Sequence, residues 1–131
     1  LKDVNVIEVK NYLNVPSDMF VVTEKMYDEK KDLLRRFLSA YKNCTQWMIN
    51  NPREAAKIAK KRSINGRNEA VNLEIIKIRN ISSVSKTTRM RGLGHFDLDL
   101  LQKGAKTFKE LGLIKKDIDI TKVVKSDLIP K

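Results

Sequence analysis

Over residues 3–9 the chain alternates apolar and polar positions at Val4, Val6 and, after a break at Ile7, Val9, a period of two that predicts a half-exposed strand. Met19-Phe20-Val21-Val22-Thr23 is short and β-branched and predicts a second, more buried strand. Between them, Asn14-Val15-Pro16-Ser17-Asp18 is turn chemistry: Pro16 removes a backbone donor, and Ser17 and Asp18 can bond nearby amides. The period then lengthens. Leu34, Phe37, Leu38, Tyr41, Cys44, Thr45 and Met48 recur at three- and four-residue steps and predict one long helix with these side chains on its packing face, Asp28 as N-cap and Trp47 at the flank.

Asn51-Pro52-Arg53-Glu54 opens a second helix: Asn51 can cap, Pro52 loses no hydrogen bond at N1, and Glu54 at N3 can complete a capping box. Ala55, Ala56, Ile58 and Ala59 form its inward face, small enough for close approach to the preceding helix. Its basic end, Lys57 to Arg62, suits the negative end of the helix dipole. Asn65-Gly66 reads as a turn, and Ala70 to Ile81 as a third helix carrying Val71, Leu73, Ile75, Ile76, Ile78 and Ile81. Ser82 to Arg91 is a polar, basic connection, and Arg91-Gly92-Leu93-Gly94-His95 a turn whose glycines could also let amides approach an anion. Asp97 caps a fourth helix with Leu100, Leu101, Gly104, Ala105, Phe108 and Leu111 inward, and Gly112 stops it at C′. The tail from Asp117 to Ile129 is apolar enough to dock. The expected chain is mainly α-helical, about four helices plus two short strands, without internal repeats.

At 131 residues the polypeptide has room for one domain. Cys44 is the only thiol and His95 the only imidazole, which excludes an intrachain disulfide and a thiolate-held metal, and leaves a Cys–His nucleophile as a remote option. No carboxylate pair, metal set or phosphate loop stands out, so the chain reads as a non-enzyme that needs no cofactor and no metal. No apolar run reaches the length of a membrane span. The net charge of +11 is concentrated: residues 1–52 carry +1, residues 53–95 carry +8 and residues 96–131 carry +2. A basic stretch of this kind is what a phosphate-binding surface would contain. However, 19 Lys, 12 Ile and 10 Asn, all with A/T-rich codons, explain the excess by composition alone, which disfavours a nucleic-acid partner.

The runs Asp18 to Lys25, Asp32 to Tyr41 and Asn51 to Ala56, followed by Gly92 to Asp97 and Phe108 to Ile114, occur in the order and spacing found in one known family. In them the chain resembles the C-terminal portion of ABC-transporter substrate-binding proteins, in the group that binds nitrate, taurine, alkanesulfonates and thiamine-precursor pyrimidines. Members usually carry Pro where Lys31 stands, a change that costs little at the start of a helix. The resemblance implies an α/β fold of the periplasmic binding protein-like II type, of which this chain would be an incomplete lobe. Residues 1–11 would be a strand of the second lobe, residues 12–18 the crossover, and residues 19–131 the C-terminal part of the first lobe, within a single segment 1–131.

It further implies a truncated or partial domain of a solute-binding protein that hands a small anionic or heteroaromatic solute to an ABC permease. The location implied is periplasmic or extracellular, membrane-anchored as a lipoprotein. Tyr12, Asn14, Ser17 and Asp18 flank the crossover and are the candidate ligand-binding residues, offering a ring face, amide and hydroxyl groups. Helix faces and a strand shaped for an absent sheet would leave apolar surface to cover, so self-association or strand exchange is expected. The alternative is a basic helical nucleic-acid-binding module working through Arg53, Lys57, Lys60, Lys61 and Arg67.

Overall fold

The computed structural model describes residues 5, 7–16, 18–64 and 68–130, and these are mostly helical. Seven α-helices are found among them: α1 (Glu24–Glu29), α2 (Lys31–Asn50), α3 (Pro52–Arg62), α4 (Glu69–Ser83), α5 (Lys86–Arg91), α6 (Leu98–Glu110) and α7 (Ile120–Val123), with 3-10 turns at Val9–Asn11 and Ser126–Leu128. The four helices expected from periodicity are α2, α3, α4 and α6.

The two expected strands are not formed among the described residues. Residues 9–11 make a 3-10 turn and residues 18–23 carry no regular structure, while Val4 and Val6 lie outside the described residues. A strand exists by pairing, and β-branched character only favours it where a neighbouring strand and a half-buried surface are supplied. Here no second strand lies within the described residues, and Val21 is left 87% exposed. The connection expected at residues 82–91 is instead helical over much of its length, through the last turn of α4 and all of α5. Ser85 caps α5 by accepting from the Thr88 amide at 3.1 Å.

The helix ends separate local chemistry that the sequence specifies from chemistry it leaves open. Asp97 Oδ1 accepts from the Leu100 amide at 3.0 Å and starts α6 as expected. At its other end Gly112 has φ +71°, its amide bonds Lys109 O at 2.9 Å and the Leu113 amide bonds Phe108 O at 2.9 Å, the paired closure of a Schellman motif. Two expected caps are replaced. Asp28 lies inside α1, and α2 begins three residues later behind Lys30, which has no side-chain cap. Asn51 turns its side chain backward, donating from Nδ2 to Trp47 O at 2.9 Å, so it closes α2 and does not cap α3. Glu54, freed from the capping box, pairs with Lys57 at 2.8 Å.

The chain divides into two compact units, one of Leu1–Thr23 with Phe96–Lys125 and one of Glu24–His95 with Ser126–Lys131. In the first, α6 buries Leu101 and Gly104. Gln102 fastens the following loop to α6, donating from Nε2 to Ile118 O at 2.9 Å and accepting from the Ile120 amide at 3.0 Å. In the second, α3 makes its most extensive contact with α4, the following helix and not the preceding one, with Ala56 at 0% exposure. Leu34, Ile76 and Leu128 complete the buried apolar set of that unit. Asp127 reaches both early helices: its Oδ1 accepts from Tyr27 Oη at 2.9 Å and its Oδ2 lies 3.8 Å from the Arg35 guanidinium.

Several residues assigned to inward faces stay open: Phe37, Tyr41, Cys44, Ile58 and Leu111 are exposed, and so are Val71, Ile78 and Ile81 on α4. Periodicity shows that a helix has an apolar face; it does not supply the surface that covers it.

Candidate functional site

The segment expected to edge a binding cleft runs from Tyr12 to Asp18. It leaves the 3-10 turn through the Tyr12 amide, which donates to Val9 O at 2.9 Å, and the Leu13 amide, which donates to the same carbonyl at 3.0 Å. Leu13, Val15 and Pro16 are then half-buried, and Tyr12, Asn14 and Asp18 are exposed. Val15 determines this arrangement. A Cβ built on Gly104 of α6 would stand 2.8 Å from Val15 Cγ1, so the segment seats its valine in a space that exists because position 104 has no side chain. The inward apolar residues are held and the polar ones are turned out.

Of the four candidate ligand residues, the structure places three. Tyr12 presents its ring at 79% exposure, and Asn14 and Asp18 share the outer side of the same short segment. Ser17 lies outside the described residues. An exposed ring, an amide and a carboxylate can hydrogen-bond or stack on a small solute, but they do not exclude water from it, and enclosure is what gives a small-molecule site its affinity.

Two concavities lie elsewhere. One, of about 380 Å³, sits on α6 and the loop after it, lined by Asp99, Gln102, Lys103, Lys106, Asp117 and Ile118. Lys109 and Asp117 pair at its edge. The other, of about 610 Å³, is an open groove between α3 and α4 with Arg53, Glu54, Lys57, Glu69, Ala70 and Leu73. Its two cations face two carboxylates. The Glu54 hydrogen bond and charge hold the Lys57 ammonium above its ordinary pKa, and Glu69 adds to the effect. The groove is thus balanced in charge.

Lys60, Lys61 and Arg62 occupy the last turn of α3, and Lys77 pairs with Glu74 at 2.8 Å, so part of the central positive charge is bound in helix-local interactions. Arg67 lies outside the described residues. The two-glycine turn closes on itself: Gly92 and Gly94 have φ +96° and +91°, the Gly92 amide ends α5 by bonding Thr88 O at 2.8 Å, and His95 Nδ1 lies 3.3 Å from Gly92 O. Cys44 is exposed on α2, not buried as its place in the apolar pattern suggested. Among the described residues no group of His, Cys, Asp and Glu is placed to hold a metal ion.

With α2 and the Tyr12–Asp18 segment in view, one comparison with known proteins gives a match. A family model described as NMT1/THI5 like matches residues 1–55. This is the nitrate and thiamine-precursor substrate-binding group, a family of binding proteins and not of enzymes. The matched stretch takes in the candidate ligand segment, all of α1 and α2 and the first residues of α3. It includes the first two sequence runs that carry the resemblance and most of the third, and it stops short of the runs at residues 92–97 and 108–114, covering less than half of the chain. No curated protein and no solved structure matches. The mainly helical content of the described residues fits a partial domain. No helix among the described residues is long and apolar enough to cross a membrane.

The contact that seats the candidate segment, Val15 on Gly104, was not predicted. The only available sign was a glycine on the apolar side of an otherwise regular helix, where a missing side chain signals close approach by another part of the chain.

Proposed function

We propose that the chain is a segment of an extracytoplasmic solute-binding protein that delivers a small anionic or heteroaromatic solute to an ABC permease, with membrane anchoring as a lipoprotein. On this reading residues 1–11 take the place of a strand of the second lobe, residues 12–18 are the crossover and residues 19–131 are the C-terminal part of the first lobe. Tyr12, Asn14, Ser17 and Asp18 line the cleft edge once the remaining walls are in place. The family match over residues 1–55 carries the proposal. The exposure of Phe20 and Val21, apolar residues suited to a sheet, supports it.

Titration calorimetry tests it in two arms. The 131-residue chain, mixed with taurine, an alkanesulfonate, nitrate or an aminopyrimidine, gives little or no heat, because its candidate residues stand open to water. The polypeptide encoded by the complete reading frame binds one of these solutes, and Tyr12→Ala or Asp18→Asn weakens that binding by about tenfold, the loss of roughly one good polar or stacking contact. A complete polypeptide that takes up none of them and instead holds duplex DNA, with an affinity falling steeply in salt, overturns the proposal in favour of the nucleic-acid alternative.

A further inference from the structure

Helix α2 has two apolar faces. Its inner one is Leu34, buried, with Leu38, Thr45 and Ile49 half-buried. The other is Leu33, Phe37, Ala40, Cys44 and Trp47, all exposed, at successive steps of four, three, four and three residues. A broad apolar arc suits a sheet or a mixed core, but a narrow stripe with a mean period of 3.5 is the seam that another helix fits. The seam runs for about 21 Å at 1.5 Å per residue. Large side chains stand toward its ends and small ones, Ala40 and Cys44, near its middle, which leaves recesses for incoming side chains. Phe37 and Tyr41 stack with centroids 6.3 Å apart, ordering the aromatic side of the stripe.

We propose that this seam pairs with the same seam of a second copy of the chain, the two α2 helices running antiparallel about a twofold axis near Ala40. The inference does not depend on the solute-binding reading. The sums of residue numbers across such an axis place Leu33 against Trp47 of the other copy. The same sums set Lys31 beside Ile49, in the electronegative last turn of the other helix.

The area fits a second copy. Leu33, Phe37, Tyr41 and Trp47 are 47%, 49%, 50% and 43% exposed, and side chains of this size bury roughly 150–250 Å² in full, so they offer about 400 Å² per copy. Ala40, Cys44 and flanking stems bring the pair to about 1,000 Å², the lower edge of specific interfaces.

Trp47 is the only tryptophan and sits at one end of the seam, so the unmodified chain reports on itself. Sedimentation equilibrium from about 1 to 300 µM is expected to show monomer passing to dimer in the range typical of small interfaces. Trp47 emission should move to the blue over the same concentrations. Because each copy carries +11, added salt should strengthen the association, the reverse of its effect on a polyanion complex. Ala40→Arg should weaken the dimer by at least about tenfold, a bulky charge where the helices approach closest, while Met90→Arg on α5 should leave it unchanged. Under mild oxidation Ala40→Cys in a Cys44→Ser chain should cross-link, whereas Cys44 itself, about 12 Å from its counterpart along the axis, should not. A monomer throughout the range, association with unmoved Trp47 emission, a dimer indifferent to Ala40→Arg, or a Cys44–Cys44 cross-link each overturns the proposal.

Discussion

Gly104→Ala opposes two effects of similar size at one position. In the interior of α6, replacing glycine by alanine should stabilise the helix by about 1 kcal/mol, since alanine surrenders less backbone freedom. The new Cβ, however, would lie 2.8 Å from Val15 Cγ1 and 3.5 Å from Val15 Cβ. Valine is stiff at χ1 and cannot swing clear, so the contact must be relieved by moving backbone, at about 1–3 kcal/mol for overpacking of this kind. The clash should prevail by up to about 2 kcal/mol.

Val15→Ala removes the obstructing methyl groups, and in that background Gly104→Ala should become stabilising by about 1 kcal/mol. The expected signature is therefore a change of sign, with a coupling energy of about 1–3 kcal/mol in a four-member cycle measured by urea unfolding. Methyl NMR of Val15 shows how the clash is relieved: if the segment lifts off α6, the cost is capped at the free energy of docking it, and the Val15 methyl resonances move toward their random-coil positions. An equal effect of Gly104→Ala in both backgrounds, within about 0.5 kcal/mol, would refute the reasoning.

Three further outcomes follow from other positions. Asn72, only 7% exposed on α4, has an Nδ2 without an acceptor among the described residues, so Asn72→Leu should raise the urea midpoint by the equivalent of about 1–2 kcal/mol, and a lower midpoint would show that the amide is satisfied. Gly112→Ala should cost about 1 kcal/mol through its left-handed φ alone, because nothing stands within 4 Å of the added Cβ, and Gly112→Asn should cost less by the same thermal unfolding measurement. The Asp119 carboxyl is held below its ordinary pKa chiefly by the Thr121 hydroxyl, with help from the Thr121 amide and Lys122. Its folded value thus lies below its unfolded one, so this cap supports α7 at and above the ordinary carboxylate range and is lost as the pH falls through the folded value. Amide shifts of Thr121 followed by NMR should titrate with an acid midpoint below that of an unstructured aspartate, and a midpoint at or above it would contradict the assignment.

The α2, α3, α4 and α6 helices were legible because a 3.6-residue period needs no partner to be visible, and Pro52, Asp97 and Gly112 were legible because each satisfies or frees backbone groups within a few residues of itself. What lay beyond reach depends on distant surfaces. Phe20 to Thr23 have the composition of a strand, yet composition cannot provide the neighbouring strand that turns it into one. Asn51 could cap in either direction, and its amide found the last carbonyls of α2 before the first amides of α3. On α2 the apolar positions fall into two adjacent stripes. Periodicity merged them, assigning Phe37, Tyr41 and Cys44 to the core although the buried stripe is centred on Leu34. For the candidate site, residue types were readable and their orientation was not, since that is fixed by Val15 meeting Gly104 across a long stretch of sequence.

Helices α1 and α2 are interrupted at a single residue, Lys30, across which hydrogen bonds from the Lys30 amide to Met26 O and from the Leu34 amide to Lys30 O both persist at 3.0 Å. Neither glycine nor proline sits there to impose a bend. What spans the break is Asp127, receiving Tyr27 from one side and Arg35 from the other, with the Lys31 ammonium 4.3 Å above the Tyr27 ring. The junction between these two helices is thus tied to a carboxylate some hundred positions downstream, and trimming the last five residues would remove both of those ties.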